Sequence, residues 1–341
     1  MKKILITGIS GFVGEEIFKY FNKKKYLIYG IDRVSPSFQI NNKTFYKTDL
    51  NNVNLVKKIL IKIKPQIVVH AASIILDETD KTKNWENNYY STLKLANICH
   101  LINVKKFIFL STFSIFEKNS KNLIKETDLP TCKTVYGLTK YYAENSLLRL
   151  NFDGIIVILR CPIIIGQKRG YRFGILYDFI KENLKIPLIG RGNNKLSFLH
   201  VFDLCVAIEK CFQLKKNQIF NLCVNKHISF KNIINYLIKN FKSKSRIVHA
   251  PKFIGNILFD VSVFLKLVPY VEYHKKIFNN NVVLDSSKAR SVLGWKPKYT
   301  VKEMFRENFQ FYLKNQKYLN HSSISIKKAK LGLLKILKYF L

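Results

Sequence analysis

An eight-residue stretch near the N-terminus, Thr7-Gly8-Ile9-Ser10-Gly11-Phe12-Val13-Gly14, constrains this chain more than any other. It joins an apolar run, Ile4–Thr7, that reads as a strand to an amphipathic run, Gly11–Asn22, that reads as a helix. Three glycines spaced GxxGxxG in that context have separate tasks. Gly8 permits the tight turn, Gly11 lets the backbone approach a bound group, and Gly14 lets the helix pack on the sheet. A helix N-terminus attracts an anion, and here the fitting anion is a pyrophosphate. Ser10, Phe12 and Val13 are expected around it together with the glycines.

The rest of the first half extends this turn into a fold. Leu27–Ile31, Phe45–Thr48, Gln66–His70, Phe107–Ser111 and Ile155–Arg160 read as further strands. Asn54–Ile63, Asn87–Leu101 and Val135–Leu150 read as helices between them. Six strands with helical connections predict an α/β fold, a doubly wound parallel sheet. Right-handed crossovers then leave the strand C-termini along one edge, where ligands bind. After Pro162 the pattern loosens. Gly166 to Lys195 reads as loops and one helix, and Gln218–Val224 as a strand able to rejoin the sheet. His200–Gln213, Phe230–Lys242, the very apolar Phe253–Leu267 and Ser286–Leu293 read as helices.

A chain of 341 residues suits two domains, expected at 1–165 and 166–315, followed by a tail at 316–341. Its six cysteines are scattered, with no CxxC pair and no zinc spacing. A disulfide scaffold and a metal site are therefore not expected, and the expected compartment is reducing cytosol. No stretch holds about 18 uncharged apolar residues, so no spanning helix is expected. Met1-Lys2-Lys3 followed by Ile4-Leu5-Ile6 resembles the start of a signal peptide, but the run ends at Thr7-Gly8. That is short of the roughly 7–15 apolar residues a signal needs, so it is read as a strand.

The formal charge of +36, from 58 Lys+Arg against 22 Asp+Glu, admits nucleic acid, an anionic membrane or an acidic substrate as partner. It also follows from composition alone. Lys, Ile and Asn are all abundant, as in an AT-rich coding sequence, and the Lys are dispersed rather than gathered in one block. No nucleic-acid partner is expected.

The strand ends carry the chemistry. Asp32 closes the second strand, where a carboxylate accepts both ribose hydroxyls and repels a 2′-phosphate, favouring NAD over NADP. Arg33 pulls the other way, since a guanidinium could hold that phosphate. Asp49-Leu50 closes the third strand, positioned to meet an adenine amine or to cap the next helix. In His70-Ala71-Ala72-Ser73 the small residues let a cofactor lie against the backbone, while His70 reads as a structural hydrogen-bonder. Ser111-Thr112 closes the fifth strand, and Tyr136 and Lys140 lie four apart on one face of a following helix. A free phenol, with a pKa of about 10, is a poor base at neutral pH. A neighbouring ammonium favours the phenolate, which can then take a proton from a substrate hydroxyl as hydride leaves the carbon. Lys140 would also hold ribose hydroxyls, and Thr112 would orient the reacting oxygen.

With these residues in place the chain resembles an extended short-chain dehydrogenase/reductase of the NAD-dependent epimerase/dehydratase group, from residue 2 to about 310. The likeness also takes in Asn88 before Ser91-Thr92, Leu159-Arg160-Cys161-Pro162, Phe198 to Asp203, Asp285 to Arg290, and Leu293-Gly294-Trp295-Lys296-Pro297. It implies a Rossmann domain with a smaller C-terminal substrate-binding domain, NAD as cofactor and a nucleotide-linked sugar as substrate. It implies Asn88 and Ser111 in the cofactor shell and Cys161 to Ile163 along the nicotinamide. A homodimer through a four-helix contact, using the Asn87–Leu101 and Val135–Leu150 helices, is implied as well.

Departures from the group bear on the substrate. Dehydratases carry an acidic pair where Phe113-Ser114 follow Thr112, so 4,6-dehydration is not expected. Epimerases usually place Tyr-Gly where this chain has Phe116-Glu117, and Asn where it has Ile163. Their diphosphate arginines are replaced by Leu196 and by Lys275 or Lys276. Arg191, Lys195 and Lys276 are the expected phosphate ligands, although an ammonium lacks the bidentate fork. Two other readings stay open: a reductase of a lipid-like or phenolic ketone, and a binding module for nucleic acid or membrane without chemistry. Beyond the likeness, Ile324 to Leu341 sets five lysines on one arc of a helix, mostly opposite Ile326, Leu333, Ile336, Leu337 and Phe340. Such a helix lies on an anionic bilayer, making the protein peripheral to the membrane, or packs on its own domain or a partner subunit.

Overall fold

A computed structural model describes residues 1–24, 26–74, 80–117, 122–168, 173–251, 253, 257 and 281–319. Its main sheet has seven parallel strands: β1 (Lys2–Thr7), β2 (Tyr26–Asp32), β3 (Phe45–Lys47), β4 (Ile67–His70), β5 (Lys106–Thr112), β6 (Ile155–Cys161) and, later in the chain, β10 (Gln218–Asn221). Their spatial order is β10-β6-β5-β4-β1-β2-β3, so the chain winds outward from β1, crosses back to β4 and winds out the other way. The reversal between β1 and β4 opens the crevice at which such sheets bind ligands. The turn after β1 and the Ala71–Ser73 segment after β4 flank it.

Strand alternation assigns the two faces. Ile4 and Ile6 share one core with Val69, Ile108 and Leu159, covered by helices α1 (Phe12–Asn22) and α7 (Val201–Cys211). Leu5, Val68, Phe107, Phe109 and Ile158 face the other core. That core is covered by α2 (Val53–Ile63), α4 (Ser91–Leu101) and α5 (Val135–Arg149). Burial on both faces explains why these strands read as unbroken apolar runs. The helix expected from Asn87 starts earlier, as α3 (Lys81–Trp85), and passes through a π-turn, Glu86–Tyr90, into α4.

A third core forms the second lobe. It gathers Phe113, Ile115 and Phe116, just past β5, with Tyr177, Leu196, Phe198, Ile233, Leu284 and Phe305. Its helices are α6 (Gly174–Lys181), α8 (Phe230–Asn240) and α10 (Val301–Leu319). Two small parallel sheets belong to this half: β7 (Ile163–Ile165) with β9 (Phe198–His200), and β8 (Lys185–Ile189) with β11 (Arg246–Ala250). The Gly166 to Lys195 stretch therefore holds a strand, β8, where only loops and a helix were expected. In Lys185-Ile186-Pro187-Leu188-Ile189 the burial alternates, and β8 pairs on one side only, so the proline sits on an edge strand, where it is tolerated.

The lobes interleave in sequence. Helix α7 packs on α1, and Ala289 and Leu293 of α9 (Ser287–Leu293) lie in the first core beside fully buried Trp295. Asp203, in the first turn of α7, fixes this return of the chain. Its carboxylate accepts the backbone N–H groups of Lys298 (2.8 Å) and Tyr299 (3.2 Å), and its carbonyl accepts the Trp295 indole (2.9 Å). Most of the Phe253–Leu267 stretch, and all of Ile324 to Leu341, lie outside the described residues.

Candidate active site

The glycine turn has the shape its spacing predicts. Gly8 has φ +70° and its N–H donates to Ile31 at the end of β2. A Cβ on Gly8 would stand 2.6 Å from Ala72 Cα, and one on Gly14 would stand 2.1 Å from the Gly8 carbonyl oxygen. Both contacts are impossible, so Gly8 sets the turn against the β4 end and Gly14 seats α1 against the turn. Gly11 differs: a Cβ there would meet only the Gly8 oxygen, at 3.3 Å. Gly11 is also the N-cap of α1, which has no side-chain cap. With no side-chain cap at its start, the N-terminal end of α1 faces the turn with its positive dipole end, and the turn fits a dinucleotide pyrophosphate.

At the end of β2 the Asp32 carboxylate accepts Ser10 N–H (3.0 Å) and Val34 N–H (3.2 Å), and the Ser10 hydroxyl donates to Val34. Asp32 therefore ties the glycine turn to β2, with lone pairs remaining for hydroxyl donors. Arg33 Nη1 lies 3.6 Å from Asp49 Oδ2 and donates to Asn87 Oδ1 at 3.2 Å. Asp49 does not cap the following helix: Asn52 is the cap of α2, accepting Leu55 N–H, while Asp49 accepts Asn51 N–H. Leu50 packs at the edge of the second core.

Behind the β4 end, His70 is fully buried between the Thr7 hydroxyl (2.6 Å) and the Thr92 hydroxyl (2.8 Å). Burial, with the Lys140 charge adding to it, pushes its pKa down to about 3, so it is neutral. Asn88, in the π-turn, is also fully buried. It accepts from the Ser73 hydroxyl (3.0 Å) and Ile74 N–H (2.9 Å) and donates to the Ile74 carbonyl (2.8 Å). It clamps the Ser73–Ile74 end of the segment that passes the glycine turn at Gly8.

The reactive trio comes from β5 and α5. Thr112, the last residue of β5, is buried and bonded to the Ser114 hydroxyl at 2.8 Å. Phe113, the next residue, is buried in the third core, so no acidic pair follows Thr112. Tyr136 is half-buried in the first turn of α5, and Lys140 follows on the next turn, 1 % exposed. Burial pushes the Lys140 pKa down to about 7, opposed by the charge of Glu144 and by Cys161. Its ammonium lies over the Phe109 ring, 4.2 Å from the centroid. Beside Thr112 in register, Cys161 is buried, and its thiol is raised to about 12 by burial, so it stays protonated.

Several residues that fix this trio were not singled out from sequence. Thr134 caps α5, accepting Gly137 N–H, and its own N–H and hydroxyl both donate to Glu117. Gly137 brings α5 against the segment after Thr112: a Cβ there would stand 2.6 Å from the Ser114 carbonyl oxygen. One turn beyond Lys140, Glu144 receives a bidentate bond from Arg160 (3.1 and 2.8 Å) and the Ser111 hydroxyl. Ser111 thus serves this buried ion pair with its hydroxyl. The spacing Tyr136, Lys140, Glu144 was the available signal, since steps of four keep all three on one helix face.

On the substrate side the structure separates the expected residues. Arg191 and Lys195 are exposed in the loop after β8, with Lys195 N–H bonded to Asn281. Leu196 is buried in the third core with Phe113 and Phe116, and Ile163 pairs with Phe198 between β7 and β9. Lys276 lies outside the described residues. Among the described residues no group of three His, Cys, Asp or Glu could hold a metal ion, and no helix is long and apolar enough to cross a membrane.

Comparison with known proteins bears on the family and the fold. The model of a family described as the NAD dependent epimerase/dehydratase family matches residues 4–223. An uncharacterized protein, y4nG, of Sinorhizobium fredii is 27% identical over 100% of this chain and 87% of its own length. UDP-glucose 4-epimerase of Vibrio cholerae is 25% identical over 92% of this chain and 96% of its own. Among solved structures, UDP-glucose 4-epimerase of Thermotoga maritima with UDP-glucose superposes with a TM-score of 0.76 at 20% identity, covering 92% of this chain and 99% of that one. The Bordetella bronchiseptica enzyme WbmG in complex with NAD gives 0.76 at 20%, covering 92% and 94%.

Proposed function

The chain belongs to the NAD dependent epimerase/dehydratase family, and from that membership we propose that it acts on a nucleotide-linked sugar by proton removal at Tyr136. Its cofactor is NAD, which when bound accepts a hydride from a ring carbon and can return it. Gly8, Ser10, Gly11, Phe12, Val13 and Gly14 would hold its pyrophosphate, Asp32 the adenine ribose, and Asp49 and Leu50 the adenine. Ala71, Ala72, Ser73, Cys161 and Ile163 would line its remaining length.

The chain's own residues then move one proton. Lys140 as ammonium stabilises the Tyr136 phenolate, each pKa unit being worth about 1.4 kcal/mol. Thr112 donates to or accepts from the reacting oxygen and aims it, while the Tyr136 oxygen takes the hydroxyl proton. In an epimerase the flat keto-sugar would turn within the site and Tyr136 would return the proton to its oxygen. In a dehydrogenase the ketone is released. The observation that carries this reading is Tyr136 on a helix seated by Gly137 against the segment after Thr112, one turn ahead of buried Lys140. Arg191, Lys195 and Lys276 would meet the diphosphate.

Incubation with UDP-, GDP- and dTDP-sugars, following NADH absorbance and isomer ratio together, tests it. An epimerase changes the ratio without accumulating NADH, whereas a dehydrogenase accumulates NADH with product. No change in either across the panel overturns the sugar reading. A second reading, reduction of an apolar ketone, draws on the burial of Leu196 with Phe113 and Phe116 where a diphosphate arginine would stand. NADH consumption with hydrophobic ketones and none with nucleotide sugars would favour it.

Two assembly features follow the same reading. Tyr90, Leu101, Tyr142 and Leu148 are exposed on the π-turn, α4 and α5, which supports a homodimer through these helices. A Tyr142→Asp variant is expected to sediment as a monomer, and an unchanged mass would overturn that contact. The basic pattern of Ile324 to Leu341 supports peripheral attachment of a cytoplasmic enzyme to anionic membrane. Co-sedimentation with anionic vesicles, with and without the tail, tests it.

A further inference from the structure

Asp32 and Arg33 stand side by side at the end of β2, and their charges act in opposite directions on a 2′-phosphate. The two side chains are engaged differently. Asp32 is pinned by two backbone amides, Ser10 N–H of the glycine turn and Val34 N–H of its own turn. Arg33 is drawn sideways, donating to Asn87 Oδ1 at 3.2 Å with Asp49 Oδ2 at 3.6 Å. Both partners are fixed in turn: Asp49 accepts Asn51 N–H (2.8 Å), and the Asn87 amide donates to the Lys83 carbonyl (2.8 Å). Asn88 is buried against the β4 segment, while Asn87 faces outward to β2.

The Arg33 side chain is 49% exposed, so these contacts hold it rather than bury it. An exposed guanidinium otherwise moves freely and would settle on a doubly charged phosphate beside it.

We propose that Asn87 and Asp49 form a latch that keeps Arg33 from the 2′ position of the adenine ribose, making Asn87 a specificity-determining residue for NAD against NADP. The inference rests on Asp32 as the ribose ligand, as in the reading above. Repulsion by Asp32 then acts unopposed, because the cation that would offset it is committed elsewhere. Releasing the Asn87 side of the latch lets Arg33 meet the phosphate and leaves Asp32 and Asp49 in place.

The test is calorimetric titration of the full chain with NAD and with NADP. Wild type is expected to bind NAD at least tenfold more tightly. Asn87→Ala should tighten NADP by about three- to fivefold, the upper scale of one exposed charged contact, with NAD within about 1.5-fold. Asn87→Asp, which strengthens the latch, should weaken NADP further. The Asn87→Ala gain must vanish in Arg33→Ala/Asn87→Ala, because the cation that reads the phosphate is gone. An unchanged NADP-to-NAD ratio in Asn87→Ala overturns the latch, as does a gain that survives without Arg33. A wild type with no measurable NAD affinity instead overturns the cofactor site itself, so the two failures are separable.

Discussion

Tyr136 and Lys140 divide the work at the scale of single residues: one exchanges the proton, the other makes that exchange possible near neutrality. Tyr136→Phe removes the exchanging oxygen and leaves the glycine turn intact. Turnover is expected to fall by about 10²–10⁴-fold with NAD affinity within a few-fold of wild type. Retained turnover would show that another group takes the proton. Lys140 leaves a mark on stability as well. An unfolded lysine titrates near 10.4, and burial in the folded apoprotein pulls Lys140 to about 7. Between those values the unfolded chain binds the extra proton, so folding gains stability as pH rises through the window, by about 1.4 kcal/mol per unit. Urea unfolding at pH 7 and pH 9 should show that gain in wild type and its loss in Lys140→Met. The other lysines act equally in both proteins and cancel. These residues were legible in the sequence because the chemistry restricts both their type and their spacing. Arg33, Asn87, Glu117 and Thr134 take their roles from pairings across 17 to 54 positions, which no local pattern records.

At the scale of elements, function depends on how closely α5 approaches the end of β5. Gly137 allows that approach, and its importance lies in space rather than in backbone freedom. Gly137→Ala puts a methyl 2.6 Å from the Ser114 carbonyl oxygen, also near Cys132. Helix and strand must separate, at a cost of roughly 1–3 kcal/mol as for overpacking elsewhere. We expect kcat to fall while NAD affinity holds, since the glycine turn lies on other elements. An unchanged kcat would mean that the Tyr136 position tolerates the shift. Long elements were readable: α1, α2, α5 and the five central strands of the sheet begin and end close to where periodicity placed them, and α4 ends where it was placed. The short pairs β7–β9 and β8–β11 were not. A three-residue strand such as Ile163–Ile165 gives no period, and its partner lies more than 30 positions away. Likewise, α10 carries Met304, Phe305 and Phe309 into a core whose other members are spread over more than 100 residues.

For the molecule as a whole, acid is the condition that sets the buried polar network against the apolar cores. Among the described residues two histidines are buried and neutral. His70 is held at about 3 and His200 at about 4, both by burial, with the Lys140 charge adding at His70. In the unfolded chain each titrates near 6.5. Below that value the unfolded state takes up protons that the folded state refuses, so stability present above pH 6.5 is lost as pH falls toward 4 and then 3. His200 offers the cleaner test because its Nδ1 caps α7, accepting Phe202 N–H at 3.2 Å. Its ring also stacks on Tyr299, at 3.7 Å between centroids, and so joins the α7 cap to the returning C-terminal segment. Asparagine keeps the capping acceptor but does not titrate. His200→Asn should therefore start from lower stability at pH 7, for want of the stacked ring, yet lose about 2–3 kcal/mol less between pH 6.5 and 4. The net charge of +36 strains both proteins equally as carboxylates protonate, so the difference in slope belongs to His200. Parallel unfolding curves at pH 6.5, 5.5 and 4.5 decide it: equal slopes would mean that His200 accepts its proton without unfolding, with Glu307, 3.9 Å from its Nε2, as the group able to receive the charge.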